Sequence, residues 1–185
     1  MTESGPDGVL TLSALLLSAA DAKPDGDALV FPDSRQSYRT LLERARRWAK
    51  AFMALGVRHR DHVGLLMTTQ PEFVEAMFGA SLAGAAAVPV NARYAPAELA
   101  YIIENADIST LVTTSRVAEA VDFTARLDKA FPDIKANSDA QRLAVAGAPK
   151  LRNIVLCGDA AKPGYVPVSA LKSLGDGIDD AALDR

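Results

Sequence analysis

The chain contains one cysteine, Cys157, so it cannot form an internal disulfide bond. A lone cysteine between apolar residues is typical of core packing, and the lack of a second one fits a reducing compartment. We therefore expect Cys157 to be buried and the protein to be cytoplasmic.

Positive charge and long apolar runs are also scarce. Lysine and arginine together number 20, against 23 aspartates and glutamates, so the formal net charge is −3. This balance provides no basic excess to bind nucleic acid. The apolar stretch LTLSALLLSAADA is too short to span a bilayer, and no cationic start marks a secretion signal. The sequence predicts no nucleic-acid partner and at most peripheral membrane contact.

Motifs that bind phosphate are missing. No G-x-G-x-x-G follows a strand-like run. The stretch GASLAGAAA (79–87) has the glycine spacing of a P-loop but lacks its Lys and Ser/Thr. It also ends a predicted helix instead of beginning one, which is the wrong polarity for binding an anion. We expect its small residues to serve close helix packing.

Catalytic side chains in a recognisable spacing are missing as well. No Gly-x-Ser-x-Gly elbow is present. His59 and His62 lie three residues apart, but Arg58 and Arg60 beside them would repel a cation, so we expect a solvated turn and no metal. The hydroxyls of TTSR (113–116) fit helix capping, and the acidic residues near the C-terminus fit a solvated face.

Strand-like and helix-like segments alternate along the chain. Helical periodicity and helix-starting residues predict helices over 11–21, 41–53, 71–84, 96–106, 117–131 and 167–174. For the 41–53 helix, Thr40 is the predicted N-terminal cap and Gly56 the predicted C-terminal exit. Short apolar runs predict strands over 28–31 and 36–38 around a turn at 32–35, and over 62–69, 85–90, 109–114 and 151–158. In the predicted 71–84 helix we expect Phe73, Val74, Met77 and Phe78 to be buried.

This alternation predicts an α/β fold, with a mostly parallel sheet flanked by helices. The length of 185 residues suits one domain. We expect 132–150 to be loop-like and 175–185 to be frayed, because neither segment carries a clean apolar period.

Two ordered signatures resemble the N-terminal subdomain of the adenylate-forming (AMP-binding) superfamily, which includes the acyl-CoA synthetases. The first is QSYRTLLERARRWAKAFMALGVRHRDHVGLLM (36–67), and the second is PEFVEAMFGASLAGAAAVPVNARYAPAELAYIIENADISTLVTT (71–114). The resemblance is clear over 27–115 and holds only in outline beyond. The Val-Pro-Val-Asn motif is most similar to that of bacterial fatty-acyl-CoA ligases.

The resemblance implies that a full-length parent joins a carboxylic acid to ATP with Mg²⁺, then passes the acyl group to CoA. The family's phosphate loop ending in Pro-Lys-Gly, its adenine and ribose motifs and its catalytic lysine domain do not occur in these 185 residues. We therefore assign no catalytic or metal-binding residue here, and expect none of these cofactors to bind the chain strongly.

The loop after the 85–90 strand supplies the candidate cofactor-binding residues. The resemblance places this loop near the CoA thiol, which nominates Asn91, Arg93 and Tyr94. A plain turn capped by Asn91, with a solvated Arg93, is the alternative.

Residues 1–185 thus resemble a partial N-terminal domain of a fatty-acyl-CoA ligase, inactive by itself, whose partners are the rest of the ligase chain and a fatty-acid substrate. A stand-alone α/β binding or interaction module is the alternative, in which an uncovered apolar surface or sheet edge binds a partner or a second copy. A complete small nucleotide-binding enzyme is disfavoured by the missing phosphate loop.

Overall fold

A five-stranded parallel sheet lies between two helical layers, and a two-stranded antiparallel hairpin packs beside one of them. The computed structural model describes residues 11–116 and 121–183. The helices are α1 (Leu12–Ala22), α2 (Tyr38–Ala54), α3 (Pro71–Leu82), α4 (Pro96–Asn105), α5 (Phe123–Ala130) and α6 (Leu171–Gly175). The strands are β1 (Asp27–Phe31), β2 (Ser34–Ser37), β3 (His62–Leu66), β4 (Ala86–Pro89), β5 (Ile108–Thr114), β6 (Asn153–Cys157) and β7 (Val166–Pro167).

The strand order in the large sheet is β4-β3-β5-β6-β7, and every neighbouring pair is parallel. This confirms the predicted mostly parallel α/β architecture. The outer strands β4 and β7 each end in an exposed proline, Pro89 and Pro167. Proline has no backbone N–H to donate, so it is tolerated at a sheet edge.

The hairpin and the start of α2 differ from the sequence prediction. The turn is only two residues long, since Phe31 pairs directly with Ser34. β2 then ends at Ser37, whose side chain accepts a hydrogen bond from the Thr40 backbone N–H at 3.2 Å. Ser37, not Thr40, is therefore the N-cap of α2. At the other end, Gly56 has the positive φ of 85° that favours glycine after a helix.

The buried face of α3 is made of three small residues and one glutamate. Because α2 packs closely there, a Cβ on Gly79 would lie 2.5 Å from the Trp48 Cβ. The four large apolar residues predicted to be buried are only half-buried, and the fully buried positions are Glu75, Ala76, Gly79 and Ala80. The prediction of close helix packing is thus confirmed, whereas the predicted stripe of large residues is wrong.

The core lies on both faces of the sheet. On one face, α2 and α3 pack against β3, β5 and β6 through residues such as Trp48, Phe52 and Val63. On the other face, α4 and α5 pack against β5 and β6 through residues such as Ile103, Leu111 and Leu127. The central strands β3, β5 and β6 therefore contribute side chains to two apolar layers.

The last third of the chain contains short helices and turns. α5 begins at Phe123 because Asp122 accepts a hydrogen bond from the Ala125 backbone N–H at 2.9 Å; residues 117–120, in the predicted 117–131 helix, lie outside the described residues. The segment 132–150 has a 3₁₀ helix at Pro132–Ala136 followed by turns. The end expected to be frayed contains a 3₁₀ helix at Asp180–Ala182, held to α2 by an Asp180–Lys50 ion pair of 2.9 Å.

Candidate functional site

The loops that follow β3, β4, β5 and β6 meet at the carboxyl edge of the parallel sheet. From β3, the chain passes through α3 on one face to β4, then through α4 on the other face to β5, on the opposite side of β3. Open α/β sheets bind ligands at the carboxyl ends of strands where the winding direction reverses. The candidate site is therefore the crevice between the ends of β3 and β5.

Arg116 joins the two sides of this crevice. Its Nη1 donates a hydrogen bond to Gln70 Oε1, and its Nη2 to Glu72 Oε1, both at 3.1 Å. Gln70 precedes α3, and its Nε2 in turn donates to Met67 Sδ at 3.0 Å. Glu72 lies in the first turn of α3, where the helix dipole favours a carboxylate. The guanidinium thus ties the loop after β5 to the beginning of α3.

In the described part of the chain, the hydroxyls of 113–116 bond within the sheet or the adjoining loop, and the start of the helix that they were predicted to cap (117–120) lies outside the described residues. The Thr113 hydroxyl donates to the Leu66 carbonyl at 2.8 Å, and the Ser115 hydroxyl donates to the Cys157 carbonyl at 3.3 Å. Thr114 Oγ1 accepts from the Arg116 backbone N–H at 3.2 Å. The Thr113 and Ser115 hydroxyls therefore link β5 to its neighbours β3 and β6.

The sequence-predicted residues Asn91, Arg93 and Tyr94 lie together in the turn after β4. Asn91 Oδ1 accepts from the Arg93 backbone N–H at 2.9 Å, and the Tyr94 backbone N–H donates to the Asn91 carbonyl at 3.2 Å. Asn91 and Arg93 are exposed, and Tyr94 is half-buried. Because β4 is an edge strand, this turn lies at one side of the carboxyl edge.

Arg126 braces this turn, and sequence analysis missed it. Its Nη1 donates to the carbonyls of Ala92 at 3.1 Å and Tyr94 at 2.9 Å. Arg126 lies on α5, more than thirty residues further along the chain. No local pattern could reveal the contact, because only the sheet order brings α5 beside the end of β4.

A cavity of about 310 Å³ lies beside the ends of β6 and β7, lined by Leu156, Ala160, Ala161, Lys162, Pro163, Tyr165 and Pro167. Its polar groups already have partners in the fold. The Tyr165 hydroxyl donates to Asp128 Oδ1 at 3.2 Å, and Lys162 Nζ lies 2.7 Å from Asp128 Oδ2. Burial and the nearby Asp128 raise the pKa of the Tyr165 phenol, so it stays a neutral donor. The remaining lining is mostly apolar.

The histidines and the cysteine have structural surroundings. His59 is exposed, while His62 Nδ1 lies 2.6 Å from the Ala106 carbonyl, at the end of α4. Cys157 is fully buried, and this burial raises the pKa of its thiol to about 12. In residues 11–116 and 121–183, no three or more His, Cys, Asp or Glu side chains form a group that could hold a metal ion. Likewise, no helix in the described part is long and apolar enough to cross a membrane.

Comparison with solved structures supports the same fold. The anthranilate CoA ligase AuaEII, in complex with anthranoyl-AMP, superposes with a TM-score of 0.71 at 23% identity, covering 90% of this chain and 28% of that one. The N-terminal domain of FACL13 from Mycobacterium tuberculosis gives a TM-score of 0.67 at 23% identity, covering 91% of this chain and 36% of that one.

Sequence comparison shows a similarity that is closer than a shared fold. A medium/long-chain-fatty-acid–CoA/3-oxocholest-4-en-26-oate–CoA ligase from Mycolicibacterium smegmatis is 39% identical over 126 residues, which are 68% of this chain. The matched part spans only 22% of that relative's length. The family described as AMP-binding enzyme matches residues 16–166, most of the chain. The chain therefore belongs to the AMP-binding enzyme family.

Proposed function

We propose that this chain is the N-terminal part of an ATP-dependent fatty-acid–CoA ligase, which makes an acyl-adenylate and then acyl-CoA. The observation that carries the proposal is the 39% identity to a fatty-acid–CoA ligase, of which the matched part spans 22%. The family match over 16–166 supports the same conclusion. In the complete enzyme, ATP, Mg²⁺ and CoA would be the cofactors and a fatty acid the substrate.

The described residues do not by themselves fit ATP and Mg²⁺. At the crevice between β3 and β5, the guanidinium of Arg116 is already paired with the Glu72 carboxylate at 3.1 Å. Transfer of an adenylyl group needs several cationic or N–H donors aimed at the phosphates. We derive no catalytic step from these residues, and we propose that the chain alone is inactive and binds none of these cofactors strongly.

Asn91, Arg93 and Tyr94 are proposed to contact CoA in the longer protein. The turn is well suited to present side chains because hydrogen bonds hold its backbone. Asn91 Oδ1 accepts one within the turn, and Arg126 on α5 donates two to its carbonyls. Its position at the carboxyl edge agrees with the side on which such sheets bind ligands. The resemblance implies that this turn lies near the thiol of CoA, so the three side chains are proposed to contact that end of the cofactor.

Pyrophosphate release tests the proposal. The purified chain is mixed with ATP, Mg²⁺ and a panel of fatty acids, beside a longer protein translated in frame past Arg185. We expect release from the longer protein and only background from the chain alone. Appreciable turnover by the chain alone would overturn the inactivity proposal, and an inactive longer protein would overturn the ligase assignment.

A stand-alone interaction module is a second candidate, favoured by one observation. Leu12 and Leu15 on α1 are 42% and 51% exposed, which is high for leucines on one helix. Light scattering over a concentration series tests this candidate. A dimer that Leu15→Gln dissociates, together with no in-frame ligase sequence downstream, would favour the module.

A further inference from the structure

A second cavity of about 310 Å³ lies between α2 and α6. Its walls carry four cationic and three acidic side chains, and the lining residues are Glu43, Arg46, Arg47, Lys50, Lys172, Gly175, Asp176 and Asp180. The α2 positions recur at helical spacing and so share one face of the helix. We call this cavity the α2–α6 groove. None of its residues belongs to the loops that form the candidate site.

An anion of the chain itself already occupies part of the α2–α6 groove. Asp180 Oδ1 lies 2.9 Å from Lys50 Nζ and 3.9 Å from Arg46 Nη1. The hydrogen bond from Lys50 and the positive charges of Lys50 and Arg46 lower the pKa of Asp180. Cationic side chains of the groove thus already hold one carboxylate, beside Glu43 and Asp176 in the same lining. Because Asp180 is 65% exposed in its side chain, solvent screens the contact and the carboxylate can be displaced.

The groove has cationic side chains that form no ion pair with Asp180. Arg47 and Lys172 line the same cavity from α2 and α6. Within the described part of the chain, neither side chain takes part in a hydrogen bond or an ion pair. A ligand that contacted Lys50, Arg47 and Lys172 together would carry more than one negative charge, as pyrophosphate does.

We propose that the α2–α6 groove binds a small phosphate-bearing anion of the pyrophosphate class, and that Asp180 is its intramolecular competitor. The anion replaces the Asp180 carboxylate on Lys50 and adds contacts to Arg47 and Lys172. Binding thereby releases the 3₁₀ helix at Asp180–Ala182 from α2. This site is independent of the ligase assignment, since none of its residues belongs to the loops that form the candidate site.

Calorimetric titration of the chain with inorganic pyrophosphate tests the proposal, using three variants. Asp180→Asn removes the competing charge, so its affinity should rise by about threefold, as expected for one exposed ion pair. The double variant Arg47→Ala/Lys172→Ala should lose measurable binding. The double variant Arg142→Ala/Lys150→Ala removes the same two residue types outside the groove and should bind as the wild type does.

Three results would overturn the proposal. The first is no binding by the wild type or by Asp180→Asn. The second is equal affinity of the two double variants, which would mean that pyrophosphate binds to general positive charge. The third is an unchanged affinity in Asp180→Asn. All substituted side chains lie at the surface, and matching thermal unfolding curves would show that each variant is folded.

Discussion

Glu75 is a charged residue on the buried face of α3, which it shares with Ala76, Gly79 and Ala80. Its Oε1 accepts hydrogen bonds from Gln36 Nε2 at 2.7 Å and Arg44 Nη1 at 2.9 Å. Its Oε2 accepts from Trp48 Nε1 at 3.4 Å. A buried carboxylate is tolerated only when such donors replace its lost hydration. These donors are 27 to 39 residues away in sequence, so no local signal predicts that Glu75 is buried.

Replacing Glu75 should therefore be costly. We expect Glu75→Ala to lower the free energy of unfolding by about 3 kcal/mol, because Gln36 and Trp48 lose their acceptor in a buried place. Urea denaturation measures the change. The matched control is Glu104→Ala on the exposed side of α4, which should change stability by less than about 0.5 kcal/mol. A loss below about 1 kcal/mol for Glu75→Ala would contradict this account.

Cys157 should be unreactive in the folded protein. Its raised pKa of about 12 leaves the thiol protonated at neutral and mildly alkaline pH, and the thiolate is the nucleophile. We expect a disulfide reagent such as DTNB to leave the native chain unlabelled from pH 7 to pH 10, and to label one thiol per chain in urea. Rapid labelling of the native protein at pH 8 would show that the thiol is accessible.

The α2–α3 pair shows which features of the helices the sequence predicts and which it does not. The sequence predicted both helices, the proline at the start of α3 and the glycine after α2. It misplaced the N-cap of α2 and the buried face of α3, since both depend on contacts between elements. The hairpin turn was predicted as four residues, whereas the pairing of Phe31 with Ser34 makes it two.

Adding a methyl group at Gly79 should separate α2 from α3. The new Cβ would lie 2.5 Å from the Trp48 Cβ and 3.0 Å from the Ala45 carbonyl oxygen. We expect Gly79→Ala to destabilise the protein by about 1 to 3 kcal/mol, despite the better helix propensity of alanine. Gly177→Ala is the matched control, since no atom lies within 4 Å of its added Cβ. Equal midpoints of thermal unfolding for the two variants would refute the close packing.

In the whole molecule, the sheet couples two apolar layers. Trp48 belongs to the layer of α2 and α3, whereas Leu127 of α5 belongs to the opposite layer. β5 and β6 contribute to both, with Leu111 on one face and Val112 on the other. The two layers therefore cannot lose their packing independently without breaking the shared strands.

We expect the described domain to unfold in one cooperative transition. Leu127→Ala should lower stability by about 3 kcal/mol, and the fluorescence of Trp48, the single tryptophan, should report the full shift from across the sheet. Far-UV circular dichroism provides the second probe, and the exposed Val30→Ala is the control. A Trp48 midpoint that stayed at the wild-type value while the dichroism midpoint fell would show that the layers unfold separately.

The sequence by itself determined the order of the elements, the parallel α/β architecture and the family signatures, because apolar periodicity, proline and glycine placement and short motifs are local properties. The turn at Asn91, Arg93 and Tyr94 was also readable, since a parallel strand must end at the carboxyl edge. Only the tertiary structure decided that Arg116 bridges the crevice, that Arg126 braces the turn and that Glu75 is buried. Those contacts join residues more than twenty-five positions apart, and long-range hydrogen bonds leave no periodic trace in a single sequence.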